Sequence, residues 1–309
     1  MKSVFASFFA LGFSFSLISC AALDGPQRAA PTPEYRDVPV DASGEGVRHR
    51  VLVLPFLDEN LNRTEKASQV ARDTFLRELG RTGQFVIVSL TDFPGDPKEF
   101  LKEGQEYDLT RVARVAAPLG IAAVIEGKVL DLSARKMGDT VGVFRQEKAL
   151  VKADVRLRVA AGRSGREIFN QTASAQEEAT ATQVGSRSNL AADDPVLVME
   201  STRKAYMSLL PPAIQAIEKL NWEGRVAMVS GEKIYINAGR LSGIQVGDIL
   251  KVSEEGTEIF DPETGRFIGK APGRMKGTLE VVSYFGKDGA VTVVHSGNGF
   301  RENDLVELY

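Results

Sequence analysis

The chain has 309 residues, 43% of them hydrophobic, with 38 basic and 41 acidic side chains and a formal net charge of −3. So even a balance provides no electrostatic footprint for nucleic acid and no basic run for anionic lipid head groups. One cysteine excludes an intramolecular disulfide, and two histidines leave a site of three imidazoles without ligands, so the fold must hold by core burial.

In chain order, the first element is Met1-Lys2 followed by an almost uninterrupted apolar run from Val4 to Ile18 and small residues from Ser19 to Ala22. The run is about 15 residues, short of the roughly 20 a spanning helix needs, and it reads as an export signal over 1–19. Leu17-Ile18-Ser19-Cys20 resembles the lipobox of bacterial lipoproteins, in which the cysteine is acylated through sulfur and becomes the mature N-terminus. That resemblance implies lipid attachment at Cys20. With Ala21 where an aspartate would direct retention, it also implies the periplasmic face of the outer membrane. Residues 20–47, with Pro26, Pro31, Pro33 and Pro39 and no apolar period, form a tether. A flexible chain of about 27 residues reaches roughly 25–30 Å.

The continuous apolar run Val51 to Phe56 reads as a strand covered on both faces. Asn62 and Glu65 have capping-box spacing ahead of a helix carrying Ala67, Val70, Ala71, Phe75 and Leu79, closed by Gly80 and Gly83. Phe85–Val88 is a second strand, Asp108 caps a second helix that Gly120 stops, and Ala122–Val129 is a third strand. Val151, Ala153, Val155, Leu157 and Val159 then alternate with Lys152, Asp154, Arg156 and Arg158, which predicts a hairpin of 142–160 with 166–179 at the sheet edge. Asp194-Pro195 starts a helix that Pro211-Pro212 is expected to break.

After a boundary near Asn221 the helical period disappears, and short strands with regular glycines predict a small all-β barrel over 221–309. Two stretches within it match, Gly243-Ile244-Gln245-Val246-Gly247-Asp248 and Gly299-Phe300-Arg301-Glu302-Asn303-Asp304, and each aspartate is expected to bond local backbone amides.

Motifs for chemistry are weak. Asp58 begins a calcium-loop spacing but has Arg63 and Gln69 where glycine and glutamate are needed. Gly265 to Gly269-Lys270 is one residue short of a phosphate loop, and Ala271 follows. His295 lies in an alternating strand as a packing or surface residue, and Asn62 and Asn170 match glycosylation acceptors without a bacterial role. No carboxylate pair stands out, so no catalytic, cofactor-binding or metal residue is assigned.

From Val51-Leu52-Val53-Leu54-Pro55-Phe56 through Asp58, Asn60 and Phe85–Val88 to Leu119-Gly120 and Ala122–Val129, residues 48–220 resemble a known group. It comprises the curli-secretion lipoproteins, the penicillin-binding-protein activator lipoproteins and the TolB N-terminal domain. The resemblance implies an α/β fold of mixed sheet with flanking helices. Val226 to Gly239, Ser242 to Asp248, Phe260–Gly265 and Gly277–Val281 resemble the C-terminal domain of the flagellar assembly protein T family, which has a TolB-like domain and rings the basal body. That family usually lacks a lipid anchor and carries a further N-terminal domain for which 21–47 leave no room. A curli-type pore is not expected, because its hairpins need an apolar lipid face and the long hairpin here exposes Lys152, Asp154, Arg156 and Arg158.

The expectation is a non-enzymatic, lipid-anchored assembly protein without cofactor, with a flagellar basal-body ring as best guess. The alternatives are an activator of a peptidoglycan synthase and a curli-type secretion lipoprotein. Expected partners are envelope proteins and a homo-oligomeric ring, with contacts at the hairpin 142–180 and the strand ends of 222–309, and no nucleic acid.

Overall fold

The computed structural model describes residues 46–60, 65–102, 105–138, 144–184, 194–265 and 267–309. Cys20, the signal, nearly all of the tether and Asn62 lie outside these. The described residues belong to one compact unit, Val38–Tyr309.

The α/β half contains β1 (His49–Val53), β2 (Leu57–Asp58), α1 (Lys66–Arg81), β3 (Phe85–Val88), β4 (Leu101–Lys102), β5 (Glu106–Tyr107) and α2 (Leu109–Ala116). It continues with β6 (Ala123–Gly138), β7 (Phe144–Ala161), β8 (Glu167–Val184) and α3 (Pro195–Glu218). The sheet runs β3-β1-β6-β7-β8, with β2 alongside β6. β3, β1 and β6 are parallel and β6, β7 and β8 antiparallel, a mixed sheet. Alternation along each strand feeds two cores. Val51, Phe75, Leu157, Tyr206 and Ile217 fill one under α1 and α3, while Leu52, Leu54, Tyr107, Val112 and Val124 fill the other under α2.

The caps work as expected for two helices. Asp108 accepts from the Arg111 amide, Asp194 accepts from the Val196 amide, and Gly120 at φ 70° ends the α2 segment. α1 opens at Lys66 with no side-chain hydrogen bond at its cap.

Three expectations change. The third strand continues past Val129 to Gly138, with a bulge between Val129 and Asp131. The bulge moves the core-facing positions from Val129 to Leu132, which packs against the first core, and on to Ala134, level with Val151, so the period-two pattern changes phase there and does not run on from Ala123–Val129. Helix α3 does not break at Pro211-Pro212. A proline inside a helix costs about 3 kcal/mol, whereas burying a Leu or Ile side chain contributes about 1.5–3 kcal/mol. Leu209, Leu210 and Ile217 are all buried, so packing outweighs the lost backbone bonds. Finally, Arg156 and Arg158 are largely covered rather than exposed, at 19% and 14% side-chain exposure.

The second half comprises β9 (Gly224–Ser230), β10 (Lys233–Ile236), β11 (Ile249–Ser253), β12 (Glu258–Phe260), β13 (Phe267–Lys270), β14 (Met275–Phe285), β15 (Gly289–Gly297) and β16 (Leu305–Leu308). Six strands close a barrel in the order β10-β15-β14-β11-β16-β9, and β12-β13 form a separate hairpin. Trp222, Ile234, Ile236, Leu250, Leu279 and Val281 fill it. Its two matching turns behave alike: Asp248 accepts from the Gln245 amide at 2.8 Å and Asp304 from the Arg301 amide at 2.7 Å. Gly243 and Gly299 sit at φ 81° and 76°, a region open to glycine.

Candidate functional site

Strand alternation puts Arg50 on the Leu52 side of the sheet, level with Val86 of β3, and Arg48 stands one residue before the strand. The barrel covers this end. The Arg48 amide donates to the Ser242 carbonyl at 2.9 Å, and Arg50 Nη1 donates to the Asn237 carbonyl at 2.6 Å. Asn237 is itself fixed, its Oδ1 accepting from the Arg225 amide at 2.8 Å. Asp288 braces the neighbouring loop, accepting from the Gly239 amide at 2.9 Å, the Ser242 amide at 3.0 Å and Ser242 Oγ at 2.6 Å.

Between the two halves lies a cleft of about 520 Å³. Its walls are Arg48, Arg50, all four residues of β3, Asp92, and Leu241 with Phe285–Gly289 of the barrel. Successive strand residues face opposite ways, so lining by four in a row means that the cleft follows the edge of β3 rather than one face. β3 pairs only with β1, and its outer backbone groups have no partner among the described residues. Burial pushes the Arg50 guanidinium below its ordinary value, against the pull of Asp288 and Asp92. Burial likewise pushes down the His49 imidazole, whose Nδ1 is buried without a hydrogen-bond partner. Phe285, 41% exposed, stands edge-on to Tyr235 at 5.3 Å.

A second polar cluster lies on the sheet face beneath β5. Glu126, 1% exposed, accepts from the Tyr107 amide at 3.3 Å and pairs with Arg158, while Arg156 donates to Glu106 at 2.6 Å. Burial raises the proton affinity of Glu126 although Arg158 and Arg156 oppose it. The hydrogen bond from Arg156 lowers that of Glu106. Arg158 also reaches the Tyr107 carbonyl at 3.1 Å. These bonds staple the β4–β5 hairpin to β6 and β7. Alternating charges on β7 suggested a solvated face, and the long loop that folds over them left no local signal.

The residues singled out in the sequence do not converge. His295 is exposed and within 3.0 Å of Thr278 Oγ1, His49 lies in the other half, and Asn170 Nδ2 donates to Glu167 Oε1 at 2.8 Å. Lys270 pairs with Glu255. The cleft residues Arg48, Arg50 and Lys287 went unnoticed because segments far apart in sequence build them into one place.

No family model matches the chain, and no curated protein matches it. Among solved structures, the hypothetical protein CT253 from Chlamydia trachomatis is 12% identical with a TM-score of 0.36, covering 55% of this chain and 98% of that one. Lipoprotein GNA1162 from Neisseria meningitidis is 15% identical, TM-score 0.29, covering 54% and 98%. The LpoB C-terminal domain from Salmonella enterica is 13% identical, TM-score 0.27, covering 45% and 90%. Likeness this distant assigns no role to any residue here.

Proposed function

We propose that the chain is a non-enzymatic docking protein of a bacterial envelope, attached through a lipid on Cys20 and holding a partner in the cleft along β3. The observation that carries the reading is the joint itself. Arg48 and Arg50 tie sheet to barrel while one strand edge stays open beside them. An open edge within a braced cleft is suited to gripping polypeptide. The tether would confine this grip to within tens of ångströms of a membrane, raising effective concentration so that a modest interface suffices. The finer reading, supported by the sequence resemblance of 222–309, is a ring component of the flagellar basal body on the periplasmic face of the outer membrane. An activator of a peptidoglycan synthase is the alternative.

The test is an affinity pull-down of the lipidated chain from detergent-solubilised envelopes, with mass spectrometry of what is retained. Basal-body ring proteins support the finer reading, and a cell-wall synthase replaces it with the alternative. No protein enriched over a mock column overturns docking.

A further inference from the structure

We propose that the edge of β3 binds an extended acidic segment of a partner protein as an added strand, with two carboxylates spaced two residues apart set against Arg48 and Arg50. The proposal rests on the docking reading and supplies the chemistry of the partner.

The size of the site selects a short segment. β3 has 4 residues, which at about 3.3 Å each offers roughly 13 Å of edge. The cleft, at about 520 Å³, is within the range of roughly 300–1,000 Å³ that buries small ligands. The other sheet edge, β8, has 18 residues and would extend about 60 Å. It cannot enter a cleft closed on one side by Phe285–Gly289, which argues against a second copy of this chain adding its β8 to β3. As a rival receptor the β8 edge carries the exposed Glu167 and Glu178 and no cation, so it does not compete for an acidic strand.

Charge selects the chemistry. The cations on the walls are Arg48, Arg50 and Lys287, and the anions are Asp92 and Asp288. Three cations against two anions leave the walls with a net positive charge, and Asp288, whose oxygens take up the Gly239 and Ser242 donors, keeps its charge within that balance. Arg48, one residue before β1, and Arg50 both line the cleft two residues apart, about 6.6 Å of extended chain, which is the spacing of alternate side chains on a strand laid beside β3. Val86 lies level with Arg50, and with Nη1 held by the Asn237 carbonyl it is the remainder of that guanidinium that would reach over this aliphatic side chain. The added strand would lie about 9.5 Å from β1, two strand spacings, within the combined reach of an arginine and a glutamate.

The test uses the full chain in detergent micelles and fluorescence anisotropy of a labelled octapeptide of alternating glutamate and valine. Saturable binding is expected, weakened at least tenfold by Arg48→Gln and at least twofold by the exposed Lys287→Gln, and weakened by added salt. A peptide of alternating lysine and valine should not bind, and N-methylation of alternate backbone amides in the acidic peptide should abolish binding. Lys287 is exposed, so its substitution reads the charge without a folding effect. Equal binding of the lysine or N-methylated peptide, a change under twofold in the Lys287→Gln variant, or no saturation with the acidic peptide overturns the proposal. If the acidic peptide fails while envelope partners are still retained in the pull-down, this inference falls and the docking reading stands. Loss of both removes both.

Discussion

Arg50 Nη1 donates to the Asn237 carbonyl at 2.6 Å across 187 residues of sequence, joining the second residue of β1 to the loop that follows β10. A hydrogen bond from a charged group contributes about 1.5–3 kcal/mol. Arg50→Met is expected to lower stability by that amount and to uncouple the halves. Trp222, the only tryptophan, is buried in the barrel core and reports that half, while far-ultraviolet dichroism reports the helices of the other. Urea unfolding curves by the two probes should coincide for the native chain and separate in the variant. Coincidence in both would sink the idea.

The Glu126–Arg158 pair should respond asymmetrically. Removing one partner of a buried ion pair leaves an uncompensated charge, at a cost of about 3–5 kcal/mol. With Arg156 still 3.7 Å from Glu126, Arg158→Met alone is expected to destabilise toward the lower end of that range, and adding Glu126→Gln should restore part of the loss. A double-mutant cycle by denaturant titration checks this, and strictly additive effects would refute it.

His49 sets a direction for pH dependence. Because burial lowers its folded proton affinity from the ordinary 6.5, the unfolded chain binds more protons at and below that pH. This contribution is therefore intact well above 6.5 and is lost as pH falls through and below it. His49→Gln should flatten that part of the stability profile, measured by thermal melts between pH 5 and pH 8. A variant profile parallel to the native one would count against this role.

Gly127 is a packing requirement. A methyl group there would meet the Phe56 ring at 2.7 Å, and that ring is fixed between Phe75 and Tyr206, with centroids at 5.8 and 4.5 Å. Overpacking costs about 1–3 kcal/mol, so Gly127→Ala should lower the melting temperature, and Phe56→Leu in the same chain should recover part of it. A variant as stable as the native chain would show that the ring moves aside freely.

What the sequence made legible was whatever local chemistry determines. Asp108 and Asp194 announce their helices because a carboxylate before an apolar period has one use, and Asp248 and Asp304 announce their turns for the same reason. The β6 extension to Gly138 was hidden because the bulge after Val129 shifts the core-facing alternation onto Leu132 and Ala134. The unbroken course of α3 was hidden because burial of Leu209, Leu210 and Ile217 is a tertiary quantity. The cleft was the least legible part: Arg48, Val86 and Lys287 belong to three separate patterns, and only the closure of the barrel against β1 makes them neighbours.

The matching turns have an architectural consequence. Gly247 donates to Val281 and Val281 back to Asp248, at 2.8 and 3.0 Å, while Asn303 donates to Val226 and Val226 back to Asp304, at the same two distances. Exchanging β9 with β14, β10 with β15 and β11 with β16 reproduces the same ring of neighbours. The barrel is thus a pseudo-twofold object, two interlocked copies of a strand-strand-turn-strand unit, each turn clasping the first strand of the other copy. Only the β12–β13 hairpin breaks the duplication, inserted where the copies are spliced. It is this insertion that reaches α2, with Arg114 over Phe267 at 4.8 Å and 3.4 Å from Glu258. A symmetric module has acquired one asymmetric arm, and that arm joins the Arg48 and Arg50 bonds in setting which way round it faces the sheet.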